Sequence, residues 1–254
     1  MEIKASDYVQ SLDKGLRVLL VFSKEQRPLT LSEVAAQTQM SRAAARRFLL
    51  TFTHLGYMQT DGKHFSLTAK VLDLGYSYIS SMDIIDIAKP FMLKLSQELN
   101  ESCSIGEIQN TDIVYIVQEQ VARVMTVSLK VGSRIPAHVT SMGRMILAMN
   151  EQMQEELLEK IDFTAYTSHT ITDKDKLKAE LAIIKKQGWA FVDEELEYGL
   201  RAISTPIFSK DGSVKYAMTI VSTTNRTGKE EMLYRFLPAM QKTCQEISLA
   251  LGMM

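Results

Sequence analysis

The densest chemistry in the chain lies at residues 41–47, Ser-Arg-Ala-Ala-Ala-Arg-Arg. Arg42, Arg46 and Arg47 fall on one side of a predicted helix running from Ser41 to about Leu55. Its other side carries Ala45, Phe48, Leu49, Phe52 and Leu55 at the three- and four-residue steps of an apolar face. A guanidinium fork reads a guanine edge or clamps a phosphate, and the methyls of Ala43 and Ala44 suit close approach to thymine. Surface arginines are common, so the cluster alone would describe a solvated helix end. Its meaning depends on the elements that hold it.

A second stretch, Arg134-Ile-Pro-Ala-His-Val-Thr-Ser-Met-Gly-Arg144, is predicted to run from a strand end into a helix start. Unpaired backbone N–H groups, the helix dipole and a guanidinium there would make a carboxylate site. Ser141 is expected to cap the helix and donate to a ligand, Gly143 to allow close approach, and Arg144 to pair bidentately with the carboxylate. Met142 at the pocket lip would accommodate an aromatic ring. The competing reading pairs Arg144 internally with Glu194 or Glu195, which moves the carboxylate site towards Arg201 or the Thr219–Ser222 strand. His138 reads as structural. Cys103 or Ser141 as nucleophile, with His138 or His169 as base, would make a hydrolase. The chain, however, has no nucleophile elbow, phosphate-binding glycine loop or paired metal-ligand motif. No metal and no cofactor is expected.

The first cluster is positioned by a helix-turn-helix. Thr30-Leu31-Ser32-Glu33 has the form of a capping box, predicting a short helix to about Gln37 and a turn over Thr38-Gln39-Met40. Ser41 is then placed to cap the helix whose N-terminal side chains would enter the major groove. Gly56 stops that helix, and Asp61-Gly62 is a two-residue turn signal between extended segments 57–60 and 63–67. Lys63 and His64 therefore sit at the tip of a wing, where such side chains reach phosphate or the minor groove. Tyr8 to Phe22 is predicted to pack on the other helices through Leu12, Leu16, Leu19 and Leu20, with Gly15 at a close helix or subunit contact. Lys70 to Ser80 has an apolar face of Val71, Leu72, Leu74, Tyr78 and Ile79 that could join the domains and meet a partner subunit.

Charge sharpens this only when divided. The chain holds 29 basic and 30 acidic residues, which argues against a broad nucleic-acid surface. Residues 41–70 carry five Lys and Arg against Asp61 alone, a local positive field. The expected organisation is a winged helix-turn-helix over residues 1–68, a linker helix over 69–83 and an effector-binding, oligomerising domain over 84–254. Beyond the linker, helices over 84–100, 141–150, 151–160, 173–187 and 229–251 interleave with strands over 102–108, 113–118, 124–129, 189–193, 203–208 and 214–222. That is an α+β pattern with an antiparallel or mixed sheet covered by helices. Two isolated cysteines, no signal peptide and no membrane-length apolar run fit a reducing cytoplasm.

Four segments, SLDKGLRVLLVFS at 11–23, LTLSEVA at 29–35, SRAAARRFLLTFTHLGYM at 41–58 and FSLTAKVLDLGYSYISS at 65–81, carry a resemblance over essentially the whole chain. It resembles the isocitrate-lyase-regulator (IclR-type) family of bacterial transcription factors. Its N-terminal half is most similar to the subgroup controlling protocatechuate, hydroxybenzoate and β-ketoadipate catabolism. Gln39 departs from the glycine common in the family's turn. The resemblance implies a GAF-like α/β effector-binding fold and a double-stranded DNA operator, with self-association as a dimer or tetramer. It also implies a small aromatic or dicarboxylic acid as effector, and a cavity built from the loop and helix start within 134–144 and the segments 193–204 and 218–222. Asp193, Arg201, Ala202, Thr219 and Val221 are its candidate effector contacts there. The alternatives are an architectural DNA binder blind to metabolites and a hydrolase with an appended nucleic-acid domain.

Overall fold

In this computed structural model, which describes residues 4, 7–25, 27–74, 83–121 and 129–253, the N-terminal segment forms α1 (Gln10–Glu25). Its buried stripe is Gly15, Val18, Leu19, Val21 and Phe22, so of the leucines expected to face inward only Leu19 does. Leu12, Leu16 and Leu20 are 63, 49 and 60 % exposed. Gly15 faces the rings of Phe48 and Phe52, which lie 3.7 and 3.5 Å from where a Cβ would stand, the close helix contact expected at that position.

A strand, β1 (Leu29–Thr30), leads into α2 (Leu31–Thr38) through the capping box. The Thr30 hydroxyl accepts from the Glu33 N–H at 3.4 Å, and the Glu33 carboxylate accepts from the Thr30 N–H at 2.7 Å, holding that carboxyl down to about 2. Gln39 ends the helix in the left-handed region at φ 56°, a conformation that disfavours any side chain beyond glycine. After it come α3 (Arg42–His54), β2 (Met58–Thr60) and β3 (His64–Leu67), the strands forming a small antiparallel sheet in the order β1-β3-β2. Leu55 caps α3 and is 48 % exposed, outside the expected core face. Val18, Phe22, Leu29, Val34, Leu49, Met58 and Phe65 make the core of this unit, residues 1–81. A short 3-10 turn, Ala69–Val71, follows. Tyr78 and Ile79 of the expected linker face lie outside the described residues, and Leu72 and Leu74 are exposed.

Residues 82–254 form the second unit. It contains α4 (Asp83–Leu99), β4 (Cys103–Gln109), β5 (Asp112–Glu119), β6 (Arg134–Pro136), α5 (Ser141–Met149), α6 (Glu151–Leu158) and α7 (Lys174–Gln187). There follow β7 (Ala190–Asp193), β8 (Leu200–Phe208), β9 (Val214–Thr223), a π-helical turn at Met232–Phe236 and α8 (Leu237–Ala250). Most of the strand expected at 124–129 lies outside the described residues. Pro90 is exposed within an unbroken α4.

The six strands pair antiparallel throughout, in the order β6-β5-β4-β9-β8-β7. Directly opposed residues share a face. One face carries Ile105, Met218, Ile203 and Ile220, packed by Met92, Leu95, Phe236 and Met240 of the helical segments at 83–99 and 232–250. The opposite face is built of small residues where the strands meet, Ser104, Gly106, Ala202, Ser204, Ala217 and Thr219, and α5 packs over it. Large side chains fill the first face and small ones leave room on the second.

Candidate functional site

In the N-terminal unit the Ser41 hydroxyl accepts from the Ala44 N–H at 3.2 Å and fixes the start of α3. Arg42, Ala43, Arg46 and Arg47 are exposed, and Ala44 is half-buried. Among the described residues none of these three arginines forms an ion pair, so their guanidiniums stand free on one helix face. The wing turns over Gly62 and Lys63, one place later than the sequence pattern suggests. Asp61 donates its N–H to the His64 carbonyl at 3.2 Å, and Gly62 takes φ 95° at the first central position. The Asp61 carboxylate accepts from the His64 and Lys63 N–H groups at 2.7 and 2.8 Å, which hold it well below the usual carboxylate range. It also meets His64 Nδ1 at 3.1 Å, so the His64 ring is tied to the wing while the Lys63 side chain is open to solvent.

In the second unit a cavity of about 120 Å³ lies between the small-residue face of the sheet, α5 and the β7–β8 loop. Ser141, Met142, Arg201, Ala202, Thr219 and Val221 line it. Gly143, Arg144 and Asp193 do not, each for a visible reason. Thr140, rather than Ser141, caps α5: its hydroxyl accepts from the Gly143 N–H at 3.0 Å. Ser141 is thereby the first helical residue and its hydroxyl turns to the sheet, reaching Ser204 Oγ at 2.6 Å and Thr219 Oγ1 at 3.2 Å. Gly143 presses on the backbone of Ala137, where a Cβ would stand 2.2 Å from the carbonyl oxygen. The close approach that its glycine permits is internal.

Arg144 is 1 % exposed. Its Nη1 and Nη2 donate to Glu195 at 2.7 and 2.5 Å, and its Nε donates to the His138 carbonyl at 2.6 Å. Glu195 also accepts from the Ile171 N–H at 3.0 Å, and the Thr170 hydroxyl donates to the Glu195 carbonyl at 2.6 Å. The guanidinium is a buried tie between α5 and the loop after β7. His138, buried with its ring centre 5.5 Å from that of Phe163, is held neutral by burial, with the Arg144 charge acting in the same direction. Asp193 stands behind the cavity and accepts from Arg201 Nε at 3.0 Å, while Arg201 Nη1 donates to the Thr227 carbonyl at 3.1 Å.

Ile135, Val139 and, at an exposed edge, Glu197 join the lining from segments expected to build the cavity, whereas sequence reasoning missed Tyr115, Leu129 and Val192. Tyr115 is the informative one. A register shift between Ile105 and Gly106 sets Val117 against Ile105 and Tyr115 against Gly106, making Ile116 the extra residue of a bulge. That turns the phenol ring onto the cavity face. Tyr115 is 3 % exposed and its hydroxyl has no hydrogen-bond partner among the described residues. Burial pushes its pKa up, so it is an O–H donor at neutral pH. The one polar tip in the run Ile113–Val117 was the available signal.

Catalytic pairings are not assembled from the residue types that suggested them. The Ser141 hydroxyl is bonded to other hydroxyls, and burial pushes the Cys103 and Cys244 thiols up to about 12. Among the described residues no helix is long and apolar enough to cross a membrane, and no three His, Cys, Asp or Glu side chains gather as metal ligands.

Residues 11–62 match the IclR helix-turn-helix domain, and residues 76–249 match the C-terminal domain of the bacterial transcriptional regulator IclR. The chain is 38 % identical over 243 residues to the Pca regulon regulatory protein of Pseudomonas putida, covering 95 % of this chain and 84 % of that one. A putative transcriptional regulator from Rhodococcus sp. RHA1 superposes with a TM-score of 0.87 at 40 % identity, over 96 % of this chain and 99 % of that one. The inducer-binding domain of a double mutant of the Acinetobacter PobR transcription factor, solved with 3-hydroxybenzoic acid, matches at 26 % identity and a TM-score of 0.60. The match covers 64 % of this chain and 96 % of that domain.

Proposed function

Because the chain belongs to the IclR family of bacterial transcriptional regulators, we propose that its cavity senses a small aromatic acid and that binding changes how α3 meets DNA. It is a DNA-binding regulator; the pathway and the contacts are the proposal. The observation that carries it is the cavity itself. Its volume of about 120 Å³ suits a single ring, since an apolar cavity of about 150 Å³ takes up benzene. The small-acid ligand of the PobR domain is consistent with that size. We assign DNA contacts to Ser41, Arg42, Ala43, Ala44, Arg46, Arg47, Lys63 and His64, and effector contacts to Ser141, Met142, Arg201, Ala202, Thr219 and Val221. Residues 69–83 act as the linker between the two functions, and the protein works in the reducing cytoplasm without catalysing a reaction. An effector that prefers one arrangement of the DNA-reading heads shifts promoter affinity by that preference, and DNA reciprocally shifts effector affinity.

The test pairs an operator selected from random duplexes by the wild-type protein with a thermal-shift screen of aromatic and dicarboxylic acids. Arg42→Ala or Arg46→Ala should weaken operator binding by about 1–3 kcal/mol if it reads a base, relaxing specificity at one position. If the arginine holds phosphate, all duplexes weaken alike. Either variant should keep the wild-type shift with the active acid. Operator affinity unchanged in both variants removes α3 as the reading helix. An operator affinity indifferent to every acid removes the sensing role.

Self-association follows from α1. Leu12, Leu16 and Leu20, with Val9 at 59 % exposure, form an apolar stripe that one head leaves open to water. A second copy would cover it and bring two α3 helices to two related half-sites. Light scattering of the full chain should return a dimer or a higher even state, and footprinting should return paired half-sites. A monomer protecting one half-site contradicts this.

A further inference from the structure

We propose that Leu50, on the third turn of α3, reads the C5-methyl group of an operator thymine and makes binding depend on a group that base pairing does not use. This rests on reading α3 as the helix that enters the major groove, and adds a specificity-determining residue two turns beyond the alanines at its start.

The position follows from the pitch of the helix. Successive residues turn about 100°, so Ala43, Leu50 and His54 fall within about 20° of one line along α3, with Arg47 about 40° to one side of Ala43 and Arg46 about 60° to the other. Exposure marks that line as the outer face. Ala43, Arg46, Arg47, Leu50 and His54 are exposed, whereas Ala45 and Leu49 are fully buried and Phe48 and Phe52 are half-buried. Of the large apolar side chains of α3, Leu50 alone is exposed, at 42 %, and it takes no part in the core around Val18, Leu29 and Met58. A lone surface leucine is ordinary. One in the middle of a reading face, between two guanidiniums, has a use only if something apolar meets it there.

The surrounding charge decides what that is. Arg46 and Arg47 form no ion pair, so another protein seated on Leu50 would have to take both charges out of water, a large cost without acids to meet them. A duplex meets them with phosphates at the walls of the groove or with guanine edges on its floor. On that floor a leucine, with no donor or acceptor, gains nothing from the hydrogen-bonding edges of the bases. The one apolar group a base pair shows in the major groove is the thymine methyl. Leu50 stands about 10 Å along the helix axis from Ala43, so the two side chains meet different base steps. The neighbouring Thr51 does not compete for the role, since its hydroxyl donates back to the Arg47 carbonyl at 2.8 Å and it lies about 80° from the line.

The experiment is a methyl scan of the operator selected by the wild-type protein, with affinity measured on the full chain. Each thymine in turn is replaced by deoxyuridine, which keeps every hydrogen-bonding group and removes only the methyl. At one thymine of a half-site, wild type should lose about fourfold in affinity, the worth of one methyl withdrawn from an apolar contact. Leu50→Ala should bind the thymine and deoxyuridine duplexes alike at that position and keep the wild-type response at any other. With a C·G pair placed there, 5-methylcytosine should bind wild type about fourfold better than cytosine, and Leu50→Ala no better. Thermal unfolding of Leu50→Ala should match wild type, because the side chain lies outside the core. Should the variant fail to fold, the wild-type scan decides, a scan flat at every thymine overturning the proposal. Leu50→Ala that responds to every methyl as wild type does, or wild type that binds cytosine and 5-methylcytosine equally, also overturns it. If Arg42→Ala and Arg46→Ala both keep operator affinity, α3 is not the reading helix and this proposal falls with it. If either loses affinity while the wild-type scan is flat, only the role of Leu50 fails.

Discussion

Arg144→Ala will lower the stability of the second unit by about 3–5 kcal/mol, the cost of leaving a buried charge without its partner. The guanidinium is 1 % exposed and doubly bonded to Glu195, whose side chain is 10 % exposed, so its removal strands a carboxylate that water reaches poorly. The loss of the bond to the His138 carbonyl adds to this, because that bond ties the 3-10 turn at 137–139 to α5. A loss of metabolite response in this variant would therefore be a loss of fold. Arg144→Met/Glu195→Gln is the control. It removes both charges, keeps an acceptor for the Ile171 N–H, and should be less destabilised than the two single changes added together. Urea unfolding of wild type, Arg144→Met, Glu195→Gln and the double variant measures the coupling, with Arg144→Ala unfolded beside them. An Arg144→Ala midpoint close to wild type would mean that the pair contributes nothing.

Gly143→Ala should be damaging for a reason that helix propensity would not predict. An alanine in a helix is worth about 1 kcal/mol more than a glycine, so the change would stabilise an isolated helix. Here the new methyl would stand 2.2 Å from the Ala137 carbonyl oxygen and 2.5 Å from its Cα, both backbone atoms that cannot swing aside. The start of α5 must back away from the turn before it, and the cost should reach or exceed the upper end of the ~1–3 kcal/mol typical of overpacking. Because Ser141 and Met142 ride on the same first turn, effector affinity should fall with stability. Thermal unfolding decides the sign, and a variant more stable than wild type would show that the contact at Ala137 is not rigid.

What the sequence made legible was local. The Thr30–Glu33 box, the Ser41 cap and the stop at Gly56 each act within one turn of chain, and each stands where its residue types suggest. Faces were harder. The contact expected at Gly15 is there, against Phe48 and Phe52, but leucine spacing alone could not tell that the face around it is Val18, Leu19 and Phe22 and that three leucines point outward. At the cavity, the segments were legible and the roles of single side chains were not. Arg144 is one residue type with two possible partners, and Glu195 is 51 positions away. Tyr115 faces inward through a bulge that alternation cannot show, and the small-residue face of the sheet exists only once three strands are aligned.

The outward leucines of α1 have a consequence for dosage. If the stripe is covered only when two copies meet, scarce protein is mostly single heads, and the paired species falls with the square of copy number. Halving the protein then leaves about a quarter of the pairs. A promoter served by such a reader answers to a threshold in the regulator's abundance as well as to the acid in its cavity, so a modest change in its synthesis or breakdown is itself a signal.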